Sequence, residues 1–218
     1  MRIYDITQPL TDATPVWPGD ESVTLVLSAS MARGATVNVG RLSTSLHAGT
    51  HVDAPYHYRS DGARVDAYEI ERFVGACAVI ACPTLFGPVN LQVVEEAWSR
   101  IASPVEAGTR VLIQTRATRG LGWSNAFPHL TVEVVGWLAS IGCRLVGLDA
   151  PSYDPMDSKT LDAHHALAEA GIANLENLVL DDVPEGVYTL AALPMAIVGM
   201  DAAPVRAVLI DGWPSATW

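Results

Sequence analysis

The stretch His47-Ala-Gly-Thr-His51-Val-Asp53-Ala-Pro-Tyr-His57 holds three of the six histidines of the chain. His51 and Asp53 are two positions apart, so an extended strand directs both side chains from the same face. Gly49 lets the backbone fold back, which brings His47 toward the same point. Two imidazoles and one carboxylate are ligands that suit zinc or another divalent first-row metal. The stretch therefore predicts a metal site.

The last part of this stretch places a further histidine near that site. Pro55 fixes φ and ends any strand, so the chain bends before His57. A single histidine is usually an ordinary loop residue. Three histidines and a carboxylate in so short a span, broken by glycine and proline, do not resemble a core pattern, and this favours the metal interpretation.

The composition of the chain limits its class. A chain of 218 residues, half of them hydrophobic, is long enough to bury a sizeable core. Charged residues make up only 17%, so part of the apolar surface is expected to be buried between subunits. The formal net charge of −11 argues against nucleic-acid binding.

The cysteines and the chain start indicate a cytoplasmic protein. Cys77, Cys82 and Cys143 are odd in number and form no CxxC pair, so neither a disulfide framework nor a zinc ribbon is expected. The first residues, Met-Arg-Ile-Tyr-Asp, do not contain the apolar region typical of a signal peptide, and no apolar run is long enough to span a membrane. We expect no membrane association.

Strand-like and helix-like segments follow one another along the chain. Alternation or apolar runs predict strands at 2–6, 22–30, 36–44, 75–82, 111–115, 145–148, 187–190 and 205–210. Helical spacing predicts helices at 91–102 and 131–141, the second capped by Thr131 and ended by Gly142, and a short helix at 161–171. Neither a repeat nor a linker interrupts residues 1–218, so we expect one domain.

Several other side chains are candidates for a pocket or a site. Trp17, held between prolines, could form a wall for a flat substrate, although packing in a core or an interface is the more common role. The long loop at 116–130 could be functional, with Trp123, Phe127 and His129 as possible pocket residues or simple packing. Asp149 and Asp154 could be ligands, acceptors behind ligands, or turn residues beside proline.

A second set of ligand types lies far along the chain. His164 and His165 stand near the start of the short helix, and Glu176 stands just before an apolar run that reads as a strand. Either feature alone is usually a surface feature. Together with the early histidines, they could complete a metal site from the far side of the fold.

These motifs together resemble one known family. The motifs in question are Tyr4-Asp-Ile, Trp17-Pro-Gly, the His47–His57 stretch, Asp149-Ala-Pro-Ser, Ser158-Lys-Thr-Leu-Asp-Ala-His-His and Leu175-Glu-Asn-Leu. They are similar to those of the metal-dependent cyclase/hydrolase family, which includes the bacterial kynurenine formamidases. The resemblance extends over almost the whole chain.

The resemblance implies a fold, an assembly and a set of residue roles. The fold is α/β, a swivelling β/β/α domain with a mixed central sheet flanked by helices, usually in a homodimer with two zinc ions per subunit. By position, the metal ligands are His47, His51, Asp53, His164 and Glu176, with Asp53 bridging both ions. His57 is the catalytic acid/base, and Trp17 contacts the aryl ring of the substrate.

The implied reaction is hydrolysis of N-formyl-L-kynurenine to L-kynurenine and formate, a step of tryptophan degradation. One alternative is a related enzyme that opens another small aryl or cyclic amide, such as isatin. A metal-binding module without activity is a second alternative, but it would not need His57 beside a full ligand set. A mononuclear iron oxygenase would not need His164 and Glu176.

Overall fold

The computed structural model describes residues 1–101, 108–115 and 123–212. Within these ranges the strands are β1 (Arg2–Asp5), β2 (Thr24–Ala29), β3 (Val39–Ser43), β4 (His51–Asp53), β5 (Val74–Ala81), β6 (Gly87–Pro88), β7 (Arg110–Gln114), β8 (Pro128–His129), β9 (Leu145–Leu148), β10 (Ala173–Leu175), β11 (Gly186–Ala191), β12 (Ala202–Pro204) and β13 (Val208–Asp211). The α-helices are α1 (Leu91–Ser99), α2 (Val132–Ser140) and α3 (Asp162–Glu169).

A mixed sheet of seven strands organises the fold, in the order β1-β13-β11-β5-β7-β9-β10. The pairs from β1 to β5 are antiparallel, and those from β5 to β10 are parallel. Parallel strands need crossover connections, and α1, α2 and α3 lie between β5, β7, β9 and β10 in the chain. The predicted α/β class with a mixed central sheet is confirmed.

The two faces of the sheet are covered by different layers. Along β7, Leu112 packs in one hydrophobic cluster, whereas Val111 and Ile113 pack in the other. The cluster of Val111 and Ile113 includes buried residues of all three helices. The opposite cluster includes Val52 of β4, which pairs with β12 in a separate small sheet. The strands thus support a second β layer on the face away from the helices.

The helix ends follow the sequence closely. The hydroxyl of Thr131 accepts a hydrogen bond from the backbone nitrogen of Val134, and Gly142 has a φ of 72° beyond the end of α2. Asn90 caps α1 in the same way, accepting from the nitrogen of Gln92. Within the described ranges, every helix is too short or too polar to span a lipid bilayer.

Long-range pairing brings the chain's distant segments to β4. In the pairing with β12, Ala202 lies opposite Asp53. On the other side, an isolated antiparallel bridge joins His51 to Glu176 through two backbone hydrogen bonds. The early histidine stretch is therefore held between two segments from the last quarter of the chain.

One expected strand boundary is wrong. The apolar run after Glu176 was expected to be a strand, but β10 ends at Leu175, before that residue. Asn177 has a φ of 54°, in the left-handed region that an extended strand does not contain. Glu176 therefore follows the carboxyl end of a parallel strand, where its side chain can reach a site.

Candidate metal centre

The first group of ligand atoms comes from the turn before β4 and from β4 itself. His51 and Asp53 leave the same face of the strand, with His51 Nε2 3.2 Å from Asp53 Oδ1. His47 Nδ1 lies 2.9 Å from the same carboxylate oxygen. Gly49, at a φ of 67°, makes the turn that joins the two histidines. One imidazole from the turn and one from the strand thus converge on Asp53.

A second group shares Asp53 and adds residues from α3 and from the end of β10. His164 Nε2 lies 3.6 Å from Asp53 Oδ2 and 3.3 Å from Glu176 Oε1. The other oxygen of Glu176, Oε2, lies 3.4 Å from His51 Nε2. Each carboxylate therefore presents one oxygen to His51 and the other to His164. His165 lies outside these groups, with its ring 5.3 Å from the ring of Tyr58.

Contacts behind the imidazoles fix which nitrogen faces the centre. His51 Nδ1 donates to the carbonyl oxygen of Gly49 at 2.9 Å. His164 Nδ1 donates to Asp154 Oδ2 at 2.6 Å, and the same carboxylate accepts from the backbone nitrogens of Ala163 and His164 at the start of α3. Both Nε2 atoms are left with a lone pair for a cation, which is how metal-binding histidines are commonly oriented.

The chemistry of the donor set fits a divalent metal. His51, Asp53, His164 and Glu176 are all at most 4% exposed. His51 Nε2, Asp53 Oδ1 and Glu176 Oε1 are buried without a hydrogen-bond partner among the described residues, an arrangement that is costly unless something else satisfies them. Zinc bonds of about 2.0–2.2 Å would separate tetrahedral ligand atoms by about 3.3–3.6 Å, close to the contacts between these atoms.

The electrostatics of the centre also favour the binding of a cation. Burial opposes charge on His51, but Asp53 and Glu176 outweigh it and raise the pKa of His51 to about 10. At His164, burial is likewise outweighed, first by Asp154 and then by Asp53 and Glu176, which raise the pKa of His164 well above its ordinary value. Burial alone would raise the pKa of Asp53, but the neighbouring histidines hold it well below the usual range. Protons on these imidazoles stabilise the carboxylates, and a bound cation would replace those protons.

His57 and Asp201 lie at the rim of this centre. The ring of His57 lies against that of His47, with centroids 4.1 Å apart. Asp201 Oδ2 is 3.0 Å from His47 Nε2 and 3.4 Å from His57 Nδ1. Sequence reasoning missed Asp201, because only the pairing of β12 with β4 brings it to the histidines. His47, His57 and Asp201 form a third group of potential metal ligands whose atoms lie close to one another.

A cavity of about 1150 Å³ opens onto the two groups. Trp17 lies in its wall, with its ring edge-on to Trp123 at 5.2 Å and to Phe127 at 6.1 Å between centroids. Two of the three pocket candidates in the 116–130 loop thus line the cavity, whereas His129 lies in β8 and outside its lining. Residues 116–122 of that loop lie outside the described residues.

The two candidate aspartates have different surroundings. Asp149 lines the cavity and accepts hydrogen bonds from the backbone nitrogen and the hydroxyl of Thr115. Asp154 holds His164 and the start of α3. Neither Asp149 nor Asp154 belongs to a group of potential metal ligands among the described residues.

Comparison with known proteins gives consistent matches. The Cyclase family model matches residues 4–155. A kynurenine formamidase of Sphingopyxis alaskensis is 46% identical over 209 residues, which cover 95% of this chain and 97% of that protein.

Two solved structures share the fold over nearly the whole chain. One, described as a "potential metal-dependent hydrolase with cyclase activity", has a TM-score of 0.82 at 26% identity and covers 98% of this chain and 99% of its own. Isatin hydrolase A from Labrenzia aggregata has a TM-score of 0.83 at 26% identity, over 95% of this chain and 93% of its own. Together with the family match, these relatives show that the chain belongs to the cyclase family of metal-dependent hydrolases.

Proposed function

We propose that this protein is an arylformamidase that hydrolyses N-formyl-L-kynurenine to L-kynurenine and formate. The relative named kynurenine formamidase, identical at 46% of positions along almost the whole chain, supports this substrate. The observation that carries the proposal is the pair of carboxylates, Asp53 and Glu176, each with its two oxygens directed to different histidines beside a cavity.

We assign two zinc ions to each subunit. His47, His51 and Asp53 would hold the first, and Asp53, His164 and Glu176 would hold the second, with Asp53 common to both groups. Imidazole and carboxylate ligands suit zinc, although manganese and cobalt use similar ligands. Bound divalent cations lower the pKa of water and polarise a carbonyl group, which is the chemistry that amide hydrolysis needs.

His57 is the proton carrier in this proposal. It lies at the cavity wall beside His47 but outside the two buried ligand groups. The oxygen of the attacking water joins the formyl carbon, and His57 takes a proton from that water. The C–N bond then breaks, its electron pair leaves with the nitrogen, and His57 returns the proton there. The products are formate and the free aryl amine.

The aromatic wall selects the substrate. Trp17, Trp123 and Phe127 meet edge to face, which leaves flat surfaces for a planar ring. We assign Trp17 the contact with the aryl ring of the substrate. Replacing Trp17 with alanine tests this assignment through a rise in KM for the aryl substrate.

The structural match to isatin hydrolase A favours a second candidate, hydrolysis of a cyclic aryl amide such as isatin. A cyclic amide gives one product, because its amine and acid stay joined, whereas a formamide releases formate. The aryl wall could accommodate either ring. Measuring formate release beside isatin opening, at equal enzyme concentration, decides between the two.

We also propose a cytoplasmic homodimer. The hairpin of β2 and β3 stands outside the seven-stranded sheet and exposes Leu25, Leu27, Val39 and Leu42, each by at least 45%. An apolar arm of this kind is typical of a subunit interface. The three cysteines are free and buried, which accords with a reducing compartment.

An absorbance assay of N-formyl-L-kynurenine tests the proposed function. We expect conversion to L-kynurenine by the purified protein, loss of that activity after exhaustive chelation, and recovery on addition of zinc. Activity that survives complete removal of metal, or its absence in the zinc-loaded protein, would refute the proposal.

A further inference from the structure

The carboxylate of Asp201 holds two imidazoles at once. Its Oδ2 atom lies 3.0 Å from His47 Nε2 and 3.4 Å from His57 Nδ1. The backbone fixes this position, because the nitrogen of Ala54 donates to the carbonyl oxygen of Asp201 at 2.7 Å and β12 begins at the next residue. Asp201 is thus attached to the same strand segment that separates the ligand Asp53 from His57.

A carboxylate only accepts hydrogen bonds, so these contacts determine where the ring protons lie. Once a cation occupies Nδ1, which lies 2.9 Å from Asp53 Oδ1, His47 keeps its proton on Nε2, where Asp201 accepts it. A hydrogen bond from His57 to Asp201 requires the proton of His57 on Nδ1, which leaves the lone pair of Nε2 for the cavity that His57 lines. One oxygen therefore sets the ring orientation of a metal ligand and of the proposed proton carrier.

We propose that Asp201 is a positioning residue that fixes the tautomer of His57 and aims its Nε2 at the reacting amide. This inference rests on the role proposed for His57. With Nε2 unprotonated, His57 is ready to take the proton of the attacking water and then return it to the leaving nitrogen. The contact of 3.4 Å with His57 is long, as such bonds commonly are before substrate binds.

The same three residues could instead hold a cation, since His47, His57 and Asp201 lie within reach of one another. Their exposure argues for positioning. The side chains of His57 and Asp201 are 38% and 36% exposed, whereas those of His51 and Asp53 are 1% and 2% exposed. Among the described residues, His51, Asp53 and Glu176 each have a buried polar atom without a hydrogen-bond partner, whereas His57 and Asp201 have none.

The variant Asp201→Asn tests the proposal in the zinc-loaded protein. An amide keeps the shape but can donate, so it no longer enforces a proton on Nδ1 of His57. We expect kcat for N-formyl-L-kynurenine to fall about 10- to 100-fold, with KM within about threefold of the wild-type value. Asp61→Asn, at an aspartate that is 81% exposed and lies 3.6 Å from the guanidinium of Arg59, is the matched control and should leave kcat unchanged.

Two further readouts separate positioning from ligation and from misfolding. Nitrogen-15 NMR of histidine-labelled protein, with His57 assigned through His57→Gln, should show Nδ1–H in the wild type and a changed tautomer in Asp201→Asn. Zinc content should equal that of the wild type. If Asp201→Asn does not fold, Asp201→Ser is measured in its place.

The outcomes distinguish this inference from the proposed function. Unchanged kcat and an unchanged His57 tautomer in Asp201→Asn would overturn the positioning role while leaving the hydrolase intact. Loss of zinc from the variant would overturn it by making Asp201 a ligand. A wild-type protein without turnover would refute the proposed function, and the NMR comparison would still test the contact.

Discussion

His57 differs from its neighbours in how open it is to the cavity. Its side chain is 38% exposed, whereas that of His51 is 1% exposed. We predict that His57→Ala lowers kcat by about 100- to 10,000-fold, the range that general acid–base groups contribute, because the variant lacks the imidazole that we propose as the proton carrier. Steady-state kinetics measure the change.

The metal content of the same variant is the control. His57 stands outside the two buried ligand groups, so zinc content should stay at the wild-type level. Loss of zinc from His57→Ala, or turnover near the wild-type rate, would contradict the role proposed for His57.

Asp154 acts on the centre through His164. Its carboxylate accepts from His164 Nδ1 and from two backbone nitrogens at the start of α3. We predict that Asp154→Asn weakens zinc affinity about 10- to 100-fold, because the ring of His164 loses the charged partner that orients it. Competition with a chromophoric chelator measures this affinity.

Asp162→Asn is the matched control for that change. Asp162 lies in the first turn of the same helix but is exposed to solvent. Its replacement should leave zinc affinity within about twofold of the wild type. Equal losses in the two variants would show that helix stability, and not the orientation of His164, is responsible.

At the scale of the element, the turn before β4 depends on Gly49. Its φ is 67°, and a Cβ placed there would lie 2.7 Å from Leu10 Cδ2. We predict that Gly49→Ala lowers the free energy of unfolding by about 1–2 kcal/mol, because alanine disfavours the left-handed region and Leu10 must move. Urea unfolding of the metal-free protein measures the loss.

Gly136 offers the opposite case. It lies within α2, and a Cβ there meets no atom within 4 Å. Gly136→Ala should stabilise the protein by about 0.5–1 kcal/mol, since alanine favours the helix.

A stable Gly49→Ala variant with a full complement of zinc would contradict the prediction for Gly49, because it would show that the turn does not need its glycine.

Elements that local chemistry determines could be predicted from the sequence. The two-residue spacing of His51 and Asp53 correctly predicted that both leave one face of a strand, and Thr131 and Gly142 marked the ends of α2. The strand at Glu176 was misjudged, because its apolar neighbours resemble a strand while Asn177 turns the backbone out of one.

Contacts that depend on tertiary pairing could not be predicted in this way. Asp201 reaches His47 only because β12 pairs with β4, and no local pattern in Asp201-Ala-Ala-Pro signals a site. The convergence of His164 and Glu176 on Asp53 was predicted from the family resemblance. Their own surroundings in the sequence gave only weak evidence.

At the scale of the whole molecule, the β2–β3 hairpin is the surface that a second copy would cover. Leu27 of this hairpin is 49% exposed. We predict that Leu27→Glu converts the proposed dimer to a monomer, because a carboxylate would be buried without a partner in the interface. Sedimentation velocity measures the change.

Val132→Glu is the control for that experiment. Val132 is also 49% exposed, but it begins α2, where an acidic residue is favourable. This variant should sediment as the wild type does. A wild-type protein that is already monomeric would contradict the proposed dimer, and a dimeric Leu27→Glu variant would exclude the hairpin as its interface.

Asp53 belongs to both groups of potential metal ligands, and we propose that it joins them into one hydrolytic centre. Titration of the chelated protein with zinc, followed by the rate of N-formyl-L-kynurenine hydrolysis, tests this arrangement. We predict that the rate rises with added zinc and levels off at two equivalents per chain. Full activity without zinc, a plateau at one equivalent, or no activity at any zinc concentration would contradict it.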